Sequence, residues 1–222
     1  MGKTIEIPYE DGSMAAYLAE PTGSGPFPAL VLLHEWWGLN DHIRHVAERF
    51  AAEGFLALAP DLYAGNVAEE DAEADVLMKL YREEAPEKAL AAYDALAARG
   101  DARRIGSVGW CMGGQMSFHL AIYRPKLNAC VVFYGRPESY FGMLWQIRCP
   151  LLGLFSELDA SIPAENLKRL DEELHEAAIA HDLVIYPGAD HAFFNDRGHT
   201  YHEEAAQDAW RRALSFLEEH LG

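Results

Sequence analysis

Residues 104–114, RIGSVGWCMGG, decide the fold of this 222-residue chain. The first seven predict a buried strand, and helical spacing follows over residues 112–123. Between strand and helix stands a Gly-x-Cys-x-Gly turn with Cys111 at its centre. Such an elbow needs small flanking residues, because the turn is sharp and the backbone of the central residue is strained. The pattern predicts a strand, a nucleophile elbow and a helix in direct succession.

Strands and helices alternate on both sides of this elbow. Residues 3–8 and 13–20 alternate in polarity across Asp11-Gly12, which predicts a β-hairpin. The remaining strands are predicted over residues 28–33, 55–59, 104–110, 129–134, 151–155 and 183–186. Helices are predicted over residues 41–53, 68–99 (two helices broken near Pro86), 112–123, 164–180 and 202–220. This order predicts one α/β domain over residues 1–222, with a mostly parallel central sheet, an N-terminal hairpin and helices on both faces.

Composition and charge restrict the class of partner. The formal net charge is -17, and no stripe of Lys or Arg could attract nucleic acid or an anionic membrane. No apolar run approaches the roughly 20 residues of a membrane span, and the first residues predict a strand rather than a signal segment. Three cysteines are too few for a disulfide framework, so a reducing cytoplasm is expected. We expect a soluble monomer or small homo-oligomer that acts on a small molecule and needs no cofactor.

Polar residues follow three of the strands in the order that a catalytic triad needs. In parallel sheets chemistry takes place at the carboxyl ends of the strands. Cys111, Asp159 and His191 each follow a predicted strand, and nucleophile, acid, histidine is the chain order of α/β-hydrolases. A buried inert thiol at Cys111 and a simple turn or cap at Asp159 are the structural alternatives. Asp190 is the other carboxylate that could orient the histidine.

A fourth loop, HEWWG after strand 28–33, completes the candidate site. The second N–H of an oxyanion hole normally comes from this loop, and Trp36 is placed to supply it; the first N–H comes from Met112, after the nucleophile. Glu35 is expected to point toward the nucleophile. Trp36 and Trp37 form either hydrophobic cover or, with Phe193, an apolar lining for the substrate.

These four loops resemble those of the dienelactone hydrolase (carboxymethylenebutenolidase) family, a branch of the α/β-hydrolase fold. The resemblance spans nearly the whole chain, and a Gly-x-Cys-x-Gly-Gly elbow with a glutamate on the first loop is its specific part. It implies hydrolysis of a carboxylic ester or lactone through a thioester acyl-enzyme. By this likeness Cys111 is the nucleophile, His191 is the base, and Asp159 is the acid that orients the base. Glu35 is the glutamate that forms a hydrogen bond with the resting thiol. Met112 and Trp36 are the donors of the oxyanion hole.

One position departs from the family pattern. Members that act on dienelactone bind its carboxylate with arginines, one of which lies four residues after the catalytic histidine. In this chain the residue four positions after His191 is Asn195. Arg82, Arg136 and Arg197 are the candidate replacements. The departure leaves open a broad short-chain carboxylesterase or thioesterase without dienelactone activity.

Two other classes of protein are weighed against this hydrolase. One is a catalytically inactive binding module on the same fold, which the intact elbow, acid and histidine disfavour. The other is a metalloenzyme that uses some of the 10 histidines, such as the pairs His42/His45 and His199/His202. Neither pair has a third ligand at a recognisable spacing, so no metal site is expected and both pairs are predicted on solvated helix faces.

Overall fold

The computed structural model describes residues 2–10 and 12–222. The strands are β1 (Lys3–Tyr9), β2 (Gly12–Ala19), β3 (Phe27–Leu33), β4 (Leu56–Pro60), β5 (Ala102–Trp110), β6 (Ala129–Phe133), β7 (Leu151–Ser156) and β8 (His181–Tyr186). The helices are α1 (Asp41–Ala52), α2 (Asp71–Leu80), α3 (Glu84–Ala97), α4 (Met112–Tyr123), α5 (Ala164–Glu176) and α6 (Glu203–Leu221), with short 3-10 turns at Glu138–Tyr140 and Leu144–Gln146.

The strands form a single mostly parallel sheet. Its order is β1-β2-β4-β3-β5-β6-β7-β8, and β2 runs antiparallel to both β1 and β4 while every other neighbouring pair is parallel. Tyr9 pairs with Gly12 across the predicted hairpin, and Asp11 of that turn lies outside the described residues. The predicted α/β-hydrolase architecture is confirmed.

Two glycines of the central strand β5 show that helices cover both faces of the sheet. A Cβ added at Gly106 would meet Leu217 and Leu221 of α6, whereas one added at Gly109 would overlap the backbone of Gly113 in α4. Residues 106 and 109 point to opposite faces because side chains alternate along a strand. Helices α4 and α6 therefore lie on opposite faces. The strands between them, such as β6, are wholly buried, as the continuous apolar runs predict.

Residues 68–99 form two helices, as predicted, but the break between them does not lie at the predicted position near Pro86. The break falls at residues 81–83, and Pro86 lies in the first turn of α3 instead of at the break. Proline is tolerated in a first turn because the N–H groups there have no partner within the helix. None of the helices in the described parts of the chain is long and apolar enough to cross a membrane.

Candidate active site

Cys111 lies on a strained elbow between β5 and α4. Its φ of 54° and ψ of -115° are unusual for a residue with a side chain. The turn is possible because its neighbours are small: a Cβ at Gly109 would overlap the carbonyl of Gly113, and one at Gly113 would overlap the carbonyl of Leu33. The Cys111 N–H donates to the Phe133 carbonyl at 3.0 Å. The elbow thereby presents a partly exposed thiol at the start of α4.

Asp159, directly after β7, is held as an ionised acceptor. Its Oδ2 accepts a 2.6 Å bond from His191 Nδ1, and its Oδ1 accepts from the N–H and hydroxyl of Ser161 at 2.8 and 2.6 Å. Burial raises the pKa of Asp159, but the bonds from His191 and Ser161 lower it more. The carboxylate therefore stays charged beside the imidazole.

His191 is hydrogen-bonded to this carboxylate and lies close to Cys111. Nδ1 donates to Asp159, and the other ring nitrogen, Nε2, is not used in that bond. Burial by itself lowers the pKa of His191, but its hydrogen bonds to Asp159 and Cys111 and the charges of those groups raise it to about 10. The surroundings of this histidine stabilise an imidazolium.

The loop after β3 is anchored by a neutral histidine. His34 Nδ1–H donates to the Glu35 carbonyl at 2.6 Å, and Nε2 accepts from the Leu62 N–H at 3.2 Å. Burial lowers the pKa of His34 to about 4, so the ring stays uncharged at neutral pH. Its two bonds fix the backbone on which Glu35 and Trp36 stand.

The Glu35 carboxyl group has two partners from other loops. Oε1 accepts from the Tyr134 hydroxyl at 3.0 Å, and Oε2 accepts from Asn195 Nδ2 at 2.6 Å. Burial raises the pKa of Glu35, and the bonds from Asn195 and Tyr134 oppose that rise. The Tyr134 ring also packs edge-on against His191, with centroids 5.1 Å apart. Glu35 is thus tied to the loops after β6 and β8.

Comparison with known proteins decides the family. The family model described as "Dienelactone hydrolase family" matches residues 14–221. The chain belongs to the dienelactone hydrolase family. A protein of Saccharolobus solfataricus named "Putative carboxymethylenebutenolidase" is 35% identical, with 98% of each chain covered. A protein of the same name from Escherichia coli O157:H7 is 33% identical over 97% of this chain and 86% of its own.

A solved structure supports the same assignment. The crystal structure of a "Putative Dienelactone Hydrolase" from Klebsiella pneumoniae superposes with a TM-score of 0.87 at 31% identity. It covers 99% of this chain, and 98% of that chain is matched. Family, relatives and fold together show that this dienelactone hydrolase relative is a hydrolase enzyme.

The two oxyanion candidates carry free N–H groups. Neither the Met112 N–H nor the Trp36 N–H donates to another group within residues 2–10 and 12–222. Met112 is the first residue of α4, where N–H groups have no acceptor within the helix. Trp36 and Trp37 are half-buried and pack edge-on, with centroids 5.2 Å apart. Both N–H groups are therefore available to a bound oxyanion.

The prediction that Phe193, on the loop after β8, lines the substrate site is wrong. Phe193 is completely buried, because its ring packs against Tyr134 and Tyr186 at centroid distances of 5.4 and 5.0 Å. Phe194 is also buried and stacks on Trp110. These rings pack beneath the loop that carries His191 and leave almost no accessible surface for a substrate.

The candidate arginines lie at the surface beside acidic groups. Arg136 pairs with Glu138 at 3.4 Å, and Arg197 lies 3.9 Å from Asp41. Arg82 is exposed as well. Asn195, at the position of the family's arginine, is buried and donates to Glu35. The side-chain amide of Asn195 is therefore already used in a hydrogen bond to Glu35.

The histidine pairs were predicted on solvated helix faces, and for three of the four this is wrong. His42 is buried, and its Nδ1 lies 2.9 Å from Asp196 Oδ1. His202 caps α6 by accepting from the Ala205 N–H, and His199 is exposed but lies in a turn before α6. His45 is exposed on α1, as predicted. Among the described residues, no three His, Cys, Asp or Glu side chains form a group that could hold a metal ion.

The sequence reasoning missed Tyr134. This residue follows β6 directly, at the same edge of the sheet as the four loops that were considered. Its φ of 39° is a second mark of a special position. The signal that could have identified Tyr134 is its position, because it is a polar residue that follows a buried strand, like those on the four loops considered.

Proposed function

We propose that this hydrolase cleaves a carboxylic ester or lactone through a Cys111-His191-Asp159 triad and a thioester acyl-enzyme. The observation that carries the proposal is the 2.6 Å bond from His191 to a buried carboxylate. A cysteine on a nucleophile elbow lies close enough to the ring to contribute to the raised pKa of His191. Family membership supports the same reaction class.

In the first half-reaction the Cys111 thiolate attacks the carbonyl carbon. The C–S bond forms while the carbonyl π electrons move to oxygen, and the N–H groups of Met112 and Trp36 stabilise that oxyanion. Each such donor contributes about 3 kcal/mol in enzymes where it has been removed. When the oxyanion collapses, the alkoxide departs and takes a proton from the His191 imidazolium.

In the second half-reaction water cleaves the thioester. Neutral His191 removes a proton from the water, whose oxygen attacks the acyl carbon. Collapse of this second tetrahedral species releases the carboxylic acid and restores the thiolate and the imidazolium. A thiolate is a good leaving group, which disfavours peptide amides relative to activated esters, enol lactones and thioesters.

Trapping the acyl-enzyme tests the proposal directly. With p-nitrophenyl acetate we expect a burst of nitrophenolate and, after acid quenching, an acetyl group on the peptide that contains Cys111. Iodoacetamide treatment should prevent both, whereas EDTA should have no effect. Binding without turnover would indicate a binding module, and inhibition by EDTA would indicate a metalloenzyme.

We expect neutral esters and lactones to be better substrates than carboxylated lactones. The amide of Asn195 is occupied by Glu35, and a charge-assisted bond to a substrate carboxylate is worth about 1.5–3 kcal/mol, or roughly 10- to 150-fold. The measurement is kcat/KM for a neutral and a carboxylated lactone of similar reactivity at two salt concentrations. A tenfold or greater preference for the carboxylated lactone that Arg136→Ala or Arg197→Ala removes would contradict this expectation.

The dependence of kcat/KM on pH should have a basic limb near pH 10. Because the folded protein raises the pKa of His191 to about 10, the imidazolium that protonates the leaving alkoxide persists through neutral pH and is lost above it. The measurement is a pH profile with a neutral ester; a basic limb close to neutrality would contradict the ion-pair assignment.

A further inference from the structure

The peptide group between Glu35 and Trp36 is held at one end and free at the other. Its carbonyl oxygen, on Glu35, accepts from His34 Nδ1–H at 2.6 Å and from the Gly38 N–H at 3.3 Å. The N–H at the opposite end, on Trp36, donates to no other group among the described residues. A trans peptide is planar, and its C=O and N–H bonds point in opposite directions. The two donors to the carbonyl therefore also fix the direction of the Trp36 N–H.

His34 can act only as a donor to this carbonyl. Its Nε2 accepts from the Leu62 N–H at 3.2 Å, so the single proton of the neutral ring is on Nδ1. The imidazole is completely buried, which removes bulk water as a competing partner for either nitrogen. The Leu62 N–H thereby sets the tautomer of His34, and the tautomer provides the donor to Glu35.

The first turn of α4 lies directly against the same loop. A Cβ added at Gly113 would overlap the Leu33 carbonyl and would lie 2.7 Å from the carbonyl oxygen of His34. Only a glycine allows the two backbones to approach this closely. The unused N–H groups of Met112 and Trp36 thus belong to two segments in backbone contact, as two donors to one oxyanion must.

We propose that His34 is a positioning residue for ester cleavage, which holds the Glu35–Trp36 peptide so that the Trp36 N–H faces the oxyanion formed at Cys111. The inference rests on the proposed function and gives a task to a side chain buried beneath the site. An oxyanion donor contributes most when its direction is fixed before the reaction, because no reorganisation is then needed as charge develops. Loss of one such donor lowers kcat about 100- to 1000-fold in enzymes where it has been measured.

Two replacements of His34 separate the donor from the rest of the ring. In asparagine the amide nitrogen can take the place of Nδ1 and still donate to the Glu35 carbonyl, but nothing replaces Nε2. In glutamine the amide reaches the place of Nε2 and can accept from the Leu62 N–H, but the donor at Nδ1 is lost. We expect His34→Gln to slow acylation by p-nitrophenyl acetate about 100-fold and His34→Asn less than about tenfold.

Alkylation of Cys111 by iodoacetamide reports whether the nucleophile is intact in these variants. The thiolate displaces iodide from a saturated carbon, so no oxyanion forms and the Trp36 N–H takes no part. The alkylation rate should therefore stay close to that of the wild type in both variants. Thermal unfolding should show a loss of stability in both, because each replacement of His34 removes one of two buried hydrogen bonds.

His119→Gln is the matched control. His119 is half-buried on α4, where its ring packs near Tyr123 and Tyr140, and its Nε2 has no hydrogen-bond partner among the described residues. Its replacement should change neither acylation nor alkylation. If His34→Gln does not fold, His34→Leu, which also lacks the donor and is close to asparagine in shape, is compared with His34→Asn instead.

The comparison of acylation with alkylation decides the inference. Equal acylation rates in the variants with and without the Nδ1 donor would overturn it, because a merely structural role does not distinguish them. Alkylation that slows in parallel with acylation would also overturn it, because the thiol itself would then be affected. Acyl transfer that does not depend on the Nδ1 donor would refute this inference alone, whereas a wild-type protein without an acyl-enzyme would refute the proposed function and this inference with it.

Discussion

Replacing Cys111 by alanine is expected to reduce ester turnover by about a millionfold, the loss seen when the nucleophile of a comparable triad is removed. The variant should fold normally, because alanine is smaller than cysteine and the strained elbow is supported by Gly109 and Gly113. The measurement is kcat for p-nitrophenyl acetate, with thermal unfolding as the check on the fold. Residual activity above one-thousandth of the wild type would assign nucleophilic attack to another group.

The other two cysteines supply the controls for this substitution. Cys130 and Cys149 are buried, and burial raises the pKa of the Cys130 thiol well above its usual range and that of Cys149 to about 12. Neither thiol is exposed for attack or for alkylation. Cys130→Ala and Cys149→Ala should keep most of the activity, and iodoacetamide should label Cys111 fastest. An equal loss in all three variants would refute the assignment.

Asp159→Asn is expected to lower kcat by about ten thousandfold, as the equivalent change does in a serine triad. Asparagine retains the shape of the side chain, but it presents an amide to Nδ1 and no longer holds the imidazole in the tautomer that leaves Nε2 for the thiol. The substitution also removes a hydrogen bond and a charge that raise the pKa of His191. The basic limb of the pH profile should therefore move to lower pH in the variant.

Asp190→Asn is the matched control for Asp159→Asn. Asp190 is exposed, and its carboxylate accepts a 2.7 Å bond from the backbone N–H of His191, not from the imidazole ring. Its replacement should change kcat only slightly. If Asp159→Asn causes only a small loss and Asp190→Asn a large one, Asp190 is the residue that orients the histidine.

The alternation of strands and helices and the elbow could be derived from the chain because they depend on local spacing. Residues 104–114 need only their glycines and their apolar positions to predict β5, a sharp turn and α4. The order of Cys111, Asp159 and His191 along the chain is likewise a property of the sequence. Parallel strands bring their carboxyl ends to one edge, so the meeting of Asp159 with His191 followed from topology.

The tertiary structure decided how side chains on separate loops share their hydrogen bonds. From the sequence, position 195 showed only that the family's arginine is replaced by asparagine. In the folded protein Asn195 donates a hydrogen bond to Glu35, 160 positions away. Phe193 and His42 were predicted to be accessible and are buried, because burial depends on which ring or helix packs against a residue and not on its own neighbours in the chain. Local pattern determines elements and the order of candidate groups, whereas the partner of each buried polar group depends on contacts between distant segments, which spacing along the chain does not encode.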